Sequence, residues 1–366
     1  MLALVPACMA APPPRWTTQQ AGAWYSRQPW LVGADYIPSY AVNQLEMWQE
    51  DTFDPKRIDT ELGWAESIGM NTVRVFLHDL LWAQDAPGFR KRINIFLTIA
   101  SRHHIRPLFV LFDSCWDPYP KTGPQRAPRP GVHNSGWVEG PGTVALHTPE
   151  QHPRLEAYVK GVVSAFARDE RVLGWDIWNE PDNLNLSSYP GTPDLNILVM
   201  AMLPRAFEWA RSVHPVQPLT SGLWNGDWSS PDTLSLMEHI QVDQSDVISF
   251  HSYMTPEEFT KRVLRLQQFG RPLFCTEYMA RPLGSTFQGI LPIAKAYRVA
   301  AYNWGLVNGK TQTNLPWDSW QNPYTGAAPP WFHDVFYPDG RPYSPEEVEF
   351  IRAITGRGGA RTRKAA

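Results

Sequence analysis

The chain has 366 residues, 43% of them hydrophobic, and a formal net charge of −3. Such a chain can bury a large core, as two domains or as one barrel of about 250 to 400 residues. The charge supplies no basic field for nucleic acid, no stretch is long and apolar enough to span a membrane, and 3 cysteines imply no disulfide framework.

Residues 1–15 resemble a signal-peptide remnant, with a short apolar stretch followed by three prolines but no basic region before it. We therefore expect a secreted or periplasmic protein, and residues 4–8 resemble a bacterial lipobox that would anchor the chain to lipid through Cys8. The alternative is a disordered, proline-rich leader. At the other end, the small and basic residues 356–366 predict a disordered tail.

Between these ends, apolar runs alternate with amphipathic segments. The predicted strands cover residues 30–36, 71–77, 105–112, 172–178, 217–222, 247–251, 272–276 and 302–306. The predicted helices cover roughly 55–69, 88–103, 151–168, 193–213, 231–239, 259–269 and 286–300, with a last helix beginning after Ser344. Asp54-Pro55 and Gly69 are the expected start and stop of the first of these.

These strands are too apolar for a sheet that is covered on one face only, which indicates a parallel sheet packed between helices. Eight strand–helix units predict a single (β/α)8 TIM barrel over residues 16–355, with long βα loops at the active face. The alternative is a doubly wound open sheet, but no glycine-rich dinucleotide turn follows the first strand.

The segment 113–150 interrupts this alternation. It is rich in Pro and Gly, contains Trp116 and Trp137, and is too long for an ordinary connection. Because it follows a strand, it belongs to the active face, and we interpret it as a wall of a substrate cleft. It also offers Asp113 and Asp117 as side chains that either contact a sugar or shape the loop.

The stretch Leu173–Pro181 reads as a buried strand that stops at Asn179-Glu180-Pro181, because proline cannot continue a central strand. Glu277 ends a second such strand. Active sites of α/β barrels lie at the carboxyl ends of their strands. Strands four and seven lie on opposite sides of the axis, so we expect the two carboxylates to lie about 5 Å apart, the geometry of a retaining glycosidase.

Other polar side chains fall at the same face. Arg74 lies on predicted strand two, His251 ends strand six with Tyr253 just beyond, and Trp304 lies on strand eight. The glutamate near Arg74 would stay ionised and suit a nucleophile. The glutamate among Trp175 and Trp178 would suit a general acid.

The chain holds 17 tryptophans, more than a core needs, and Trp rarely buries completely. We expect many of them to be exposed in a groove, where flat rings stack on sugar faces; the alternative is core packing. The candidate walls that follow strands five and eight are Trp224, Trp228, Trp317 and Trp320. Cys275, which faces the same side of its strand as Glu277, is expected to be a packed, inert thiol.

Trp-Asn-Glu-Pro after strand four and Thr-Glu-Tyr after strand seven resemble the clan A glycoside hydrolases, most of all glycoside hydrolase family 5. The resemblance covers roughly residues 28–355. Family 5 members usually place a histidine at the end of strand three, where this chain has Phe112-Asp113-Ser114, so the resemblance implies no particular subfamily.

The resemblance implies roles for single residues. Glu180 would be the acid/base and Glu277 the nucleophile, and Asn179 would hold the 2-hydroxyl of the sugar. His251 and Tyr253 would flank the nucleophile with Arg74 beneath it. Trp304 would be a stacking platform.

The sequence therefore predicts a retaining β-glycoside hydrolase that cleaves a β-linked glycan without a metal or organic cofactor. Mannoside, glucoside, galactoside and xyloside all remain open, and so does the oligomeric state. The long loop after strand three favours exo action. The alternatives are a transglycosylase, or a non-catalytic carbohydrate-binding protein on the same barrel.

Overall fold

The computed structural model describes residues 14–189, 193–326 and 329–357. The leader with Cys8 and residues 358–366 of the tail lie outside the described residues, so their roles stay predictions. Within the described part, no helix combines the length and apolarity needed to cross a membrane.

Eight parallel strands form one sheet, in the order β5-β4-β3-β2-β1-β8-β7-β6. A single parallel bridge, Leu223 to Phe250, joins the segment after β5 to β6 and brings the two edges together. The (β/α)8 barrel is thus confirmed. The strands are β1 Val32–Asp35, β2 Thr72–Phe76, β3 Arg106–Asp113, β4 Gly174–Asn179, β5 Leu219–Thr220, β6 Ile248–His251, β7 Leu273–Tyr278 and β8 Ala300–Asn303.

The helices lie between the strands. They are α1 Thr18–Ser26, α2 Gln44–Trp48, α3 Pro55–Ser67, α4 Asp79–Arg102, α5 Thr143–His147, α6 His152–Phe166, α7 Leu195–Ser212, α8 Leu236–Gln244, α9 Pro256–Gln267, α10 Phe287–Ala296 and α11 Pro345–Thr355. The predicted start and stop of α3 are both present. The Asp54 carboxylate accepts hydrogen bonds from the backbone N–H groups of Lys56 and Arg57, and Gly69 follows the helix with a φ of 81°.

Alternation along the strands separates two environments. On β4, Trp175 and Ile177 belong to the large core that the helices cover, whereas Asp176 between them reaches Arg74 inside the barrel. The barrel interior is therefore where the charged groups gather.

Several boundaries differ from the prediction: α8 covers Leu236–Gln244 rather than residues 231–239, and β5 covers Leu219–Thr220 rather than residues 217–222. α4 begins at Asp79 rather than at residue 88, because His78 caps its first turn and a non-helical residue, Asp85, accommodates Pro87. β8 covers Ala300–Asn303 rather than residues 302–306. Its alanines suggested the end of a helix, but each is fully buried in the barrel, where packing overrides a weak β propensity. Trp304 therefore follows β8.

The expectation that many tryptophans are exposed in a groove is wrong for most of them. Nine are buried, and four of the other eight pack against the core: Trp16, Trp30, Trp64 and Trp82. Trp228, a predicted cleft wall, packs against Phe250 and donates to Glu238. Trp178 packs against Phe112, facing away from the barrel mouth. The nine buried tryptophans are Trp24, Trp48, Trp137, Trp175, Trp178, Trp209, Trp228, Trp320 and Trp331.

Candidate active site

A cavity of about 330 Å³ opens at the carboxyl ends of the strands. This volume lies in the range of small-molecule sites. Among the predicted site residues, Arg74 does not line it and lies fully buried beneath. Nine predicted site residues on or after the strands line the cavity: Asp113, Trp116, Asn179, Glu180, Trp224, His251, Tyr253, Glu277 and Trp304.

Glu277 lies on β7 with both carboxylate oxygens engaged. Arg74 Nη1 donates to Oε1 at 3.0 Å, and the Tyr253 hydroxyl donates to Oε2 at 2.7 Å. Burial raises the pKa of Glu277, and the charge of Arg74 and the hydrogen bond from Tyr253 oppose that rise. These contacts orient the carboxylate and stabilise its ionised form.

Arg74 serves more than one carboxylate. Its guanidinium lies 2.9 Å from Asp35 and 2.8 Å from Asp176, and it donates to the Asn179 side-chain oxygen at 2.7 Å. One cation thus holds Glu277, Asn179 and two structural carboxylates in fixed positions. Burial raises the pKa of Asp35 and of Asp176, and Arg74 opposes both shifts.

Glu180 follows β4 immediately and has a φ of 44°, which turns its side chain into the mouth. Its Oε2 accepts from Asn183 Nδ2 at 2.7 Å and from the Cys115 thiol at 3.2 Å. Its Oε1 lies 3.0 Å from His251 Nδ1. Burial nevertheless raises the pKa of Glu180. The rise comes from burial beside these polar groups and not from Trp175 and Trp178, which point elsewhere.

Oxygens of Glu180 and Glu277 and a ring nitrogen of His251 lie within 4.8 Å of one another. This upper limit on the distance between the oxygens favours the short separation of retaining glycosidases, since inverting enzymes need room for a water between the carboxyl groups. Burial lowers the pKa of His251 to about 4, so the imidazole is neutral at neutral pH.

Within the described residues, this trio is also the one group with the spacing of metal ligands. Both oxygens of Glu277, however, already accept hydrogen bonds, one of them from a guanidinium. A fixed cation at this point repels a metal ion. The contacts of Glu277 with Arg74 and Tyr253 therefore disfavour a metal ion at this trio.

Asp113 stands at the end of β3. Its oxygens accept from Asn179 Nδ2 at 2.9 Å and from Trp137 Nε1 at 2.6 Å. Burial raises the pKa of Asp113 to about 6. Asp113 thus fixes the amide of Asn179 from one side while Arg74 holds its oxygen from the other.

Aromatic rings form the walls. Trp304 meets the edges of Phe76 and Trp137, with ring centroids 5.9 and 6.2 Å apart. Trp116 stacks on Trp320, with ring centroids 5.4 Å apart and an interplanar angle of 14°. Trp320 is itself a predicted wall but instead packs behind Trp116. Trp224 and the predicted wall Trp317 also line the cavity.

The sequence did not indicate five polar side chains that line the cavity: Cys115, His133, Asn134, Asn183 and Arg262. Arg262 lies on α9. The other four lie in loops, and their positions depend on how those loops fold across the mouth. The one available signal was the sequence position of Asn183, three residues after Glu180. The earlier expectation for Cys275 agrees with the structure, in which it is a buried free thiol.

No protein-family model and no curated protein matches this sequence. Solved structures do match it. GH5_18 from Streptomyces cattleya in complex with GlcNAc has a TM-score of 0.59 at 14% identity, covering 92% of this chain and 81% of that one. The exo-β-1,4-mannosidase Op5Man5 from Opitutaceae bacterium strain TAV5 has 0.54 at 20% identity, covering 90% and 60%.

A β-1,4-mannanase from the sea hare Aplysia kurodai has a TM-score of 0.53 at 15% identity, covering 75% of this chain and 87% of that one. At these identities the similarity concerns the fold. The chain shares its barrel with these three structures.

Proposed function

We propose that this protein is a retaining β-glycoside hydrolase. The observation that carries the proposal is the opposition of two buried carboxyl groups, Glu180 and Glu277, with oxygens within 4.8 Å at the mouth of the barrel. A pair at this distance suits attack on an anomeric carbon by one group while the other protonates the leaving oxygen.

The surroundings support Glu277 as the nucleophile. Arg74 and Tyr253 favour its ionised form and aim it. Burial raises the pKa of both glutamates, but within the described residues Glu180 accepts no hydrogen bond from a guanidinium that would favour its ionised form, which makes it the better candidate for the general acid. We assign Asn179 to the 2-hydroxyl of the sugar, because Asp113 and Arg74 fix both ends of its amide.

The reaction then has two steps. Glu277 forms a bond to the anomeric carbon while the glycosidic C–O bond breaks and the Glu180 proton moves to the leaving oxygen. In the second step Glu180 takes a proton from water, the water oxygen bonds to the anomeric carbon, and the carboxylate of Glu277 is released. The anomeric configuration is inverted twice and so retained.

We further propose β-mannosides as the first substrates to test. The names of two of the similar structures include a β-1,4-mannosidase and a β-1,4-mannanase, and a variant of the Streptomyces protein was solved with Manβ1-4GlcNAc. These similarities support a glycoside hydrolase more strongly than they support one sugar.

The test is hydrolysis of aryl β-mannoside, glucoside, galactoside and xyloside by the wild type and by the Glu277→Ala variant. Glu156→Ala, on the outer face of α6, is the matched control. We expect one substrate to turn over, the control to match the wild type, and Glu277→Ala to be inactive. The first-formed anomer, read by NMR, reports the stereochemistry: a β product supports retention and an α product refutes it.

Two other results would replace the proposal. Binding of a glycan without turnover indicates a carbohydrate-binding protein. Transfer of the sugar to an added acceptor in preference to water indicates a transglycosylase.

A further inference from the structure

Two loops meet across one side of the cavity. Residues 129–135 follow β3 and residues 311–324 follow β8, and we call them the paired loops. The backbone N–H of Asn134 donates to the Thr311 carbonyl at 2.7 Å, and His133 Nδ1 lies 2.8 Å from the Leu315 carbonyl. Further along, Gln312 Nε2 donates to the Arg129 carbonyl at 2.8 Å.

The paired loops lie so close together at Gly131 that a side chain would not fit there. A Cβ at Gly131, whose φ is 76°, would lie 2.5 Å from the Tyr324 carbonyl oxygen. The loop after β1 closes the remaining gap, because Lys310 N–H donates to the Ser39 carbonyl at 3.0 Å and Asn43 donates to the Gly136 carbonyl at 2.9 Å. Three loops therefore seal the cavity above β1 and β2.

The two carboxylates set the direction of a bound substrate. The acid, Glu180, must face the leaving oxygen, so the leaving group extends past Asn183 and Trp224. The sugar that Glu277 attacks then lies on the other side, against Trp304 and towards the paired loops. The cavity is open beyond β6 and β7, where its lining residues Met254 and Leu283 are 45% and 47% exposed.

Asn134 lies at the sealed end. It is 1% exposed and lines the cavity. Among the described residues, neither its side-chain oxygen nor its side-chain nitrogen has a hydrogen-bond partner. Its φ of 49° is one that asparagine tolerates and most residues do not. A buried amide with a free donor and a free acceptor matches a pair of neighbouring sugar hydroxyls, each of which both donates and accepts.

We propose that the protein removes single terminal sugars from the non-reducing end of a β-linked chain. The paired loops block any further sugar on the glycone side, and Asn134 binds hydroxyls of the terminal sugar. This proposal rests on the glycosidase function above and adds the position of cleavage and a determinant of specificity.

The first experiment follows the products of labelled β-linked tri- to pentasaccharides of the sugar that the aryl panel identifies. We expect a monosaccharide and a chain shortened by one unit at the earliest times. Early di- or trisaccharides released from the non-reducing end would overturn the proposal and leave the glycosidase function intact. Absence of turnover on both the aryl glycosides and the oligosaccharides would overturn the function itself.

The second experiment compares Asn134→Ala with Asn322→Ala, an exposed asparagine on the paired loops. We expect kcat/KM for the aryl glycoside to fall at least about tenfold in the first variant, the effect of losing two hydrogen bonds, and to be unchanged in the second. Aryl glycosides that each lack one hydroxyl provide a further test. A purely structural role of Asn134 would not change the loss of kcat/KM that each missing hydroxyl causes.

For the wild type, at least one monodeoxy glycoside should be a poorer substrate than the parent glycoside. For Asn134→Ala, that same deoxy glycoside should be as good a substrate as the parent. If every deoxy penalty is the same in both enzymes, Asn134 does not touch the sugar and that part of the proposal is wrong. Thermal unfolding of the variant separates a folding defect from this result.

Discussion

The thiol of Cys115 donates a hydrogen bond to Glu180, with Sγ 3.2 Å from Oε2. The contact joins the long loop after β3 to the proposed acid/base. Asn183 and Cys115 donate the two side-chain hydrogen bonds that favour the ionised form of Glu180.

We predict opposite pH shifts for two variants of Cys115. A hydroxyl donates more strongly than a thiol, so Cys115→Ser should lower the pKa of Glu180, whereas Cys115→Ala should raise it. Activity on the alkaline side is lost as Glu180 loses its proton, so the alkaline limb of kcat/KM should move to lower pH in the first variant and to higher pH in the second. Cys275→Ala should leave this limb in place, and a shift of both Cys115 variants in the same direction would contradict the role of the hydrogen bond.

Leaving-group chemistry should separate the two glutamates. A dinitrophenyl leaving group departs without protonation. Glu180→Ala should therefore cleave a dinitrophenyl glycoside at a rate near that of the wild type, whereas its rate of cleaving a methyl glycoside should fall by roughly 10²-fold or more. Glu277→Ala should be inactive on both. Pre-steady-state release of dinitrophenol measures this step directly, and equal losses for Glu180→Ala on both substrates would refute its role as acid.

Stability should depend on Arg74 in a pH-dependent manner. Arg74→Met leaves Asp35, Asp176 and Glu277 together without their cation, and breaking a buried pair in this way costs about 3–5 kcal/mol. Loss of the cation raises the pKa values of these carboxyls further above their unfolded values. The folded variant therefore binds more protons than the unfolded chain, and its stability deficit should shrink as the pH falls.

Denaturant unfolding at neutral and mildly acidic pH measures that deficit. Arg102→Met, which removes an exposed ion pair with Asp59, is the control and should cost at most about 1 kcal/mol. A deficit in Arg74→Met that is constant with pH would show that the carboxyls are not the cause.

Trp304 should act as a platform for the sugar. It lies at the cavity with its edge contacts to Phe76 and Trp137, so Trp304→Ala removes the ring that faces the substrate. We expect kcat/KM to fall by roughly tenfold or more and Trp304→Phe to recover a part of the loss, since a smaller flat face remains. Trp209→Phe, in α7 away from the cavity, is the control; an equal loss in both Trp304 variants would indicate packing and not stacking.

The barrel itself could be predicted because most of its strands have a clear local signal in the sequence. Buried parallel strands need apolar runs, and Pro181 ends one such run directly after Glu180. The errors came where local signals were weak. The alanines that open β8 carry little strand propensity, and the buried Trp228 lies in the same loop after β5 as the cavity-lining Trp224.

The sequence by itself was enough to identify the two glutamates, and the residues on the strand ends near them, as groups at the mouth of the barrel. Parallel strands of a barrel all present their carboxyl ends at one mouth, so a residue's place on its strand predicts where it lies in space. Only the tertiary structure decided which loop residues complete the cavity. Cys115 reaches Glu180 across 65 positions of sequence, and Asn134 pairs with Thr311 through backbone atoms. The pKa values also belong to the tertiary structure, because burial among the converging loops, and not residue type, raises those of Glu180 and Asp113.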